Sequence, residues 1–334
     1  MGHCDSKMNR RLIVTVCGAA LLIAAAVGAV VASRNRRQPL PPPDVPVAAS
    51  PAEVRVKAVE RKPEPSDHEV IEASAAVAIV CGADSATADR YEARNDALRS
   101  IARRRDLPEK DVAALIAYLR TADNAMRVER VAALKNDVMN LLRNQDPPPK
   151  DLAGTLIGIF EGGKHPPVVI DYCIQHLGAM LDELDENGRR RVRAVLAKAA
   201  KRTKQPYAGT ALYSLAEDAR ATPAQDKELK GLALALCKPE ANHAARIAAI
   251  QLAGQRGYAD ALPILRETLS APSRDAVLDI AAIGSVGLLG DVDDIPLVES
   301  VAARGGRRYA VAANAAIERI KNRVARPSEG AGVR

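Results

Sequence analysis

The sequence predicts an all-α protein in which helix pairs stack side by side behind an N-terminal membrane helix. Three observations predict this fold class. An uncharged apolar run covers residues 12–32, apolar residues recur at helical spacing from about residue 67 onward, and a helix-pair unit is repeated near the C-terminus. Patterns typical of strands are nearly absent. With 334 residues, the chain is long enough for one to three domains.

Residues 1–11 form a short basic tail, and residues 12–32 are predicted to be a transmembrane signal anchor. The anchor has 21 uncharged residues. At about 1.5 Å per residue a helix of this length spans ~31 Å, which is enough for a bilayer core. Basic residues flank it on both sides, so the positive-inside rule gives almost no preference for either orientation. The short N-terminal tail favours an extracytoplasmic location for the bulk of the chain. A cleaved signal peptide ending at Ala32 is the alternative.

Residues 33–66 are predicted to be a proline-rich linker. The segment from Gln38 to Pro65 contains eight of the 21 prolines of the chain, which prevents a packed core there. An extended, polyproline-like chain of this length reaches up to about 85 Å. We therefore expect the linker to act as a spacer between the membrane and the next domain, with a PxxP ligand for an SH3-like domain as the alternative.

The distribution of charge argues against a nucleic-acid partner. The formal net charge is +7, but residues 1–37 hold six basic residues and one acidic residue, so most of the excess is local. The chain has no Trp, one Phe and seven Tyr, which leaves few rings for base stacking. The basic runs at residues 103–105 and 189–193 are interpreted as solvated helix faces, with an acidic partner or an anionic membrane surface as the alternative.

Proline and glycine interrupt the helical pattern every 12–20 residues or so between residues 67 and 323. We therefore expect a helical domain over residues 67–323, followed by a flexible tail at 324–334. Gly154, Gly158 and Gly178 fall inside helical stretches and are interpreted as irregularities. The predicted helices span residues 70–80, 88–105, 109–122, 126–144, 150–161, 166–183, 189–203, 206–219, 224–237, 241–255, 259–270, 273–287, 292–303 and 307–323.

A repeat is clearest in the C-terminal third of the chain. Gly257 aligns with Gly290 and Pro263 with Pro296, each at an offset of 33 residues, and a third copy begins at Tyr309 and contains one helix. In each unit a glycine ends the first helix, an Asp follows that is placed to cap the second helix, and a proline stands in its first turn. Neither helix can bury its apolar stripe alone, so neighbouring units must stack.

The turn between these helices resembles that of the short HEAT repeats. Residues 257–265 read GYADALPIL, which fits the pattern G-x-x-D-A-x-P-x-L, and residues 290–298 are similar, with Asp294 in place of Ala and Val298 in place of Leu. The specific match covers about residues 241–323, whereas residues 88–240 keep the rhythm of helix pairs without this turn. The resemblance implies a right-handed α-solenoid whose concave face binds proteins or peptides, and it implies no catalytic residues.

We therefore expect a membrane-anchored scaffold that binds a protein or peptide partner and is not an enzyme. The candidate partner-binding residues are polar side chains on the second helices of the repeat, namely Arg266, Glu267 and Glu299. No metal is predicted, because the cysteines are far apart and lack C-x-x-C spacing. No cofactor is predicted either, because the sequence has no G-x-G-x-x-G motif.

Two alternatives to the scaffold stay open. Some proteins similar to the short HEAT type act as lyases or chaperones for tetrapyrrole pigments. The side chains suited to such a small-ligand site cluster at Asp171, Tyr172, Cys173 and His176. The other alternative is a purely structural spacer, or a homo-oligomer formed through the small residues of the segment 12–32.

Overall fold

The computed structural model describes residues 67–83, 85–271 and 275–325, with side chains from residue 72 onward. This part of the chain contains fourteen α-helices and no strand, which confirms the all-α fold class. The helices are α1 Asp67–Val80, α2 Tyr91–Ile101, α3 Glu109–Arg120, α4 Val128–Arg143, α5 Leu152–Gly162, α6 Pro167–Met180, α7 Glu186–Ala200, α8 Tyr207–Ala216, α9 Pro223–Cys237, α10 His243–Gln255, α11 Leu262–Ser270, α12 Ala276–Leu289, α13 Ile295–Gly305 and α14 Arg307–Ala325.

The basic tail, the signal anchor and the linker predicted for residues 1–66 lie outside the described residues, as does most of the tail predicted for 324–334. Among the described residues, no helix combines the length and the apolar character needed to cross a bilayer.

Each predicted helix has a counterpart in the structure, with ends that differ by a few residues. The ambiguous stretch at 70–80 forms α1 and not a strand. The interpretation of three glycines was wrong, because Gly154 and Gly158 lie within an unbroken α5, and Gly178 lies within an unbroken α6.

The helices pack in two series. Each even-numbered helix contacts the next even-numbered one, from α2 to α14, and we call this series the even row. The odd-numbered helices contact one another from α1 to α7 and again from α11 to α13, while α9 contacts the 3₁₀ turn Ala259–Ala261 that leads into α11. We call this series the odd row. One apolar core of buried Leu, Ile, Val and Ala side chains runs through both rows.

Helices of the even row approach closely because one of the two contacting residues is a glycine. A Cβ atom on Gly287 of α12 would lie 2.7 Å from the Cα of Ala316 in α14, and one on Gly254 of α10 would lie 2.7 Å from the Oγ of Ser285 in α12. Such distances are too short for any side chain. Gly178 against Ser214 and Gly209 against Ala245 repeat the arrangement between α6, α8 and α10.

Arginines from a following helix cap the carbonyl end of an earlier one. Arg304 of α13 donates to the carbonyl oxygen of Leu269 in α11 at 2.8 Å, and Arg323 of α14 donates to that of Leu288 in α12 at 2.7 Å. The last carbonyls of a helix lack intrahelical partners and carry partial negative charge, so a guanidinium stabilises them. Two arginines that follow a helix act similarly: Arg220, after α8, donates to the carbonyl oxygen of Leu181 just beyond α6, and Arg256, after α10, donates to that of Ala216 in α8.

The two copies of the repeat turn are built differently. Pro263 and Pro296 stand in the first turns of α11 and α13, as predicted. Gly257 has φ +71°, the left-handed conformation expected at the end of α10, whereas Gly290 has φ −74° and is extended. In the second copy Asp291 forms a capping box with Asp294.

Candidate functional site

The exposed stripes of four helices in the odd row have small residues at their centres. They recur about one helical turn apart in α3, α5 and α9, whereas α7 contributes one, and all of them are solvent-exposed. No neighbouring heavy atom lies within 4 Å of a Cβ built on Gly154, Gly158 or Gly231. The small residues are Ala113 and Ala117 in α3, Gly154 and Gly158 in α5, Ala194 in α7, and Gly231 and Ala235 in α9.

Three ion pairs join these stripes into one surface. Each pair links exposed side chains that lie on, or directly next to, successive helices of the odd row, at an N–O distance of 3.3 Å. Exposed ion pairs of this kind contribute little to stability. They do show which of the exposed stripes are neighbours on the surface. The pairs are Arg120 with Asp151, Lys198 with Glu161, and Lys201 with Glu228. We call the continuous surface formed by the stripes of α3, α5, α7 and α9 the odd face.

A cleft of about 350 Å³ opens in the odd face between α7 and α9. Arg190 and Arg193 of α7, together with Lys201 directly after α7, line one side, and Glu228 of α9 lines the other. Leu215 of α8 also lies among the lining residues. The lining therefore combines basic groups with the apolar side chains of Ala194, Ala197 and Leu215.

Beside the cleft, Asp218 holds two arginines of α7 in the interior. Its carboxylate is fully buried and accepts two bonds of 2.8 Å from Nη2 of Arg189, with a further bond from Nη1 of Arg193. Burial alone would raise the pKa of Asp218, but the hydrogen bonds from Arg189 and Arg193 outweigh it and hold the pKa below its usual range. The interpretation of the run 189–193 as a solvated face was wrong for Arg189 and Arg193, which are buried.

A second cluster of titratable groups lies near the N-terminal end of the described part. Nη1 of Arg94 pairs with Oδ2 of Asp123 at 2.8 Å, and Nζ of Lys135 donates to the carbonyl oxygen of Leu119 at 2.9 Å. Burial lowers the pKa of Lys135 to about 8. The hydroxyl of Tyr118 donates to Asp123 at 3.2 Å. Each of these polar groups has a hydrogen-bond or ion-pair partner, and the contacts link α2, α3 and α4. We therefore interpret the cluster as structural.

The residues considered for a small-ligand site are not arranged for nucleophilic chemistry. Cys173 and His176 are both buried, and Nε2 of His176 lies 3.1 Å from Oδ1 of Asn136. Burial raises the pKa of the Cys173 thiol to about 12 and lowers that of His176 to about 4. Both groups are therefore uncharged at neutral pH, whereas a Cys–His nucleophile needs a thiolate. No cluster of metal-binding side chains occurs in the part of the chain that the structure describes.

The three predicted partner-binding residues lie on the odd row, at its C-terminal end. Arg266 makes a two-pronged contact with Asp294, with Nε at 2.6 Å from Oδ1 and Nη2 at 3.0 Å from Oδ2. It therefore links α11 to the start of α13. Glu267 and Glu299 are exposed on α11 and α13.

The sequence interpretation missed the small residues of the odd face. Their signal is the spacing of four between pairs such as Ala113 and Ala117 or Gly154 and Gly158. That spacing places both members on one helix face, but it does not say whether the face is buried or exposed.

Comparison of the chain with protein-family models, with curated proteins and with solved structures gives no match in any of the three. The functional interpretation therefore depends on the geometry of the odd face and of its cleft.

Proposed function

We propose that this protein is a membrane-anchored α-solenoid of HEAT-like helix pairs, and that it binds a protein or peptide partner on the odd face. The observation that carries the proposal is the odd face itself. It is a continuous, exposed surface with small residues along its centre and charged residues along its margins. Such a surface lets the backbone of another chain approach closely.

The packing of the helices supports the solenoid. In a solenoid each unit contacts its neighbours, which matches the contacts of each even-numbered helix with the next. The arginine caps follow the same rule, because each joins a helix to the next helix of its row.

The exposed glycines of α5 support a binding role for the odd face. Glycine in a helix interior costs about 1 kcal/mol relative to alanine. Gly154 and Gly158 have open space where a Cβ would stand, so no contact within the described residues requires glycine there. A partner that packs against α5 supplies a reason for the missing side chains.

The anchor gives the scaffold its place of action. Residues 12–32 fix the chain in a membrane, residues 33–66 act as the spacer, and the helical domain holds the partner on the extracytoplasmic side. The cleft in the odd face is lined by no His, Cys or Tyr, so it lacks the side chains expected of a tetrapyrrole site.

Isolation of the full-length protein from its native membrane in a mild detergent tests the proposal. We expect a stoichiometric protein partner, identified by mass spectrometry, that is retained by the wild type and lost from Gly158→Trp. The matched control is Ala315→Trp, which places the same side chain on an exposed position of α14, away from the odd face.

A partner retained equally by both variants would contradict binding on the odd face. A preparation without any partner would favour the structural spacer. If such a preparation shifts its absorbance spectrum when haem or a bilin is added, the small-ligand alternative would replace the scaffold.

A further inference from the structure

The cleft between α7 and α9 contains a buried arginine that is only partly paired. The side chain of Arg193 is 8% exposed, and its Nη1 donates to Oδ2 of Asp218. Within the described residues this guanidinium makes no other hydrogen bond. Asp218 is shared, because it also accepts two bonds from Arg189. Glu186 is the other carboxylate near the pair, but it is exposed and lies 3.8 Å from Nη1 of Arg189. One buried carboxylate thus serves two buried guanidinium groups, and a charge buried without full compensation is costly.

The other charged groups of the cleft do not remove this excess. Arg190 stands three residues before Arg193 and lines the same cleft. Its only polar contact within the described part of the chain is a 3.4 Å hydrogen bond to Oδ1 of Asn187. Glu228, the acidic residue of the cleft lining, pairs with Lys201 at 3.3 Å. The positive charge therefore remains in excess at the end of the cleft formed by Arg190 and Arg193.

Apolar groups adjoin these arginines. Ala194 and Ala197 lie on α7 between the basic residues of the lining, and Leu215 adds a buried side chain from α8. At about 350 Å³ the cleft lies near the lower end of the range of ~300–1,000 Å³ that is usual for ligand sites. The side chains that line the cleft therefore suit a short peptide segment with one anionic and one apolar side chain.

We propose that this cleft binds an acidic side chain of the peptide partner, an Asp or Glu next to an apolar residue, with the carboxylate between Arg190 and Arg193. The inference rests on the proposed function, because the cleft opens in the odd face. Guanidinium groups match carboxylates in geometry and form strong charge-assisted hydrogen bonds with them. The apolar neighbour of the carboxylate covers Ala194 and Leu215.

A randomised dodecapeptide library displayed on phage, selected against the full-length protein in a mild detergent, tests this assignment. We expect the selected peptides to share an Asp or Glu beside Leu, Ile, Val or Met. Synthetic copies should lose affinity about tenfold or more on Arg190→Gln, since a charge-assisted hydrogen bond is removed. The matched control is Arg191→Gln, which changes the adjacent exposed arginine outside the cleft lining and should alter affinity less than about twofold.

Arg190 is exposed, so its replacement leaves the buried pairing of Asp218 intact and the variant folded. Replacing the acidic residue of a selected peptide by Gln should weaken binding by the same factor as Arg190→Gln. The two changes together should be no worse than either one alone.

Other outcomes overturn the assignment. Selected peptides without an acidic residue, an equal effect of Arg190→Gln and Arg191→Gln, or no selected peptide at all would each contradict it.

A phosphoserine peptide that binds about tenfold more tightly than the Glu peptide, and that millimolar inorganic phosphate displaces, would assign the cleft to phosphate instead. Peptides that ignore both arginines but are lost on Gly158→Trp would remove the carboxylate site and leave the odd face as the docking surface. Peptides insensitive to all three changes would contradict the proposed function as well.

Discussion

Gly287 of α12 lies directly against Ala316 of α14, so that a Cβ atom on the glycine would be 2.7 Å from the Cα of the alanine. The contact is between backbones as much as between side chains. It places two helices of the even row closer together than any other residue at position 287 would permit. The contact of Gly254 with Ser285 is its counterpart one repeat earlier.

Replacement of Gly287 by alanine is therefore expected to destabilise the protein in spite of the better helix propensity of alanine. Overpacking of a close helix contact costs about 1–3 kcal/mol, against a gain of about 1 kcal/mol from propensity. Urea denaturation followed by circular dichroism measures the change in the free energy of unfolding.

Gly158→Ala is the matched control, because a Cβ atom there has no neighbour within 4 Å. It should stabilise the protein by up to about 1 kcal/mol. A Gly287→Ala variant as stable as Gly158→Ala would mean that α12 and α14 are not in close contact.

Replacement of Asp218 by Asn should destabilise the protein by about 3–5 kcal/mol. The buried Arg193 would lose its carboxylate partner, and Arg189 would keep only the exposed Glu186 at 3.8 Å. Asp182→Asn provides the comparison, since Asp182 is exposed and lies 3.9 Å from Nε of Arg220. Its loss should cost less than about 1 kcal/mol. The midpoints of urea denaturation distinguish the two variants, and equal midpoints would show that the contact of Asp218 with Arg189 and Arg193 is not a buried ion pair.

The stability of the protein should fall as the pH drops from about 6.5 toward 4, in part through His176. Burial and the neighbouring Arg143 hold the pKa of His176 at about 4, whereas the unfolded chain has its ordinary value of 6.5. Between these values the unfolded state binds a proton that the native state does not, which lowers the free energy of unfolding by up to about 1.4 kcal/mol per pH unit.

Comparison of the wild type with His176→Gln isolates this contribution from the carboxylates that titrate in the same range. The difference in the free energy of unfolding between the two proteins should change in favour of the variant from about pH 7 to about pH 5. A difference independent of pH would mean that the pKa of His176 is the same in the native and the unfolded state.

The helices of the described residues were predictable because their signals are local. A period of about 3.6 in apolar residues marks each helix, and residues such as Pro263 or Gly257 mark where one ends and the next begins. The ends moved by a few residues because terminal turns depend on tertiary contacts, as at Gly290, where a capping box replaces the left-handed glycine.

The parts that the sequence did not predict depend on contacts between distant residues. In the sequence, Arg189 and Arg193 look like part of a solvated basic run. In the structure they are buried and paired with Asp218, which follows a different helix. Gly178 and Gly158 are both glycines within helices, yet the first faces Ser214 and the second faces solvent. Only the arrangement of neighbouring helices separates a packing glycine from one on the candidate binding surface.

The arginine caps on helix carbonyl ends affect how the chain could be divided or recombined. Arg304 and the carbonyl of Leu269 that it caps are 35 residues apart, as are Arg323 and that of Leu288. A single helix pair cut from the chain would therefore leave behind both a donor and an acceptor. Exchange of modules would succeed only if each transferred segment kept the register of its neighbour's carbonyls, so that the smallest interchangeable part of this protein is larger than its sequence repeat.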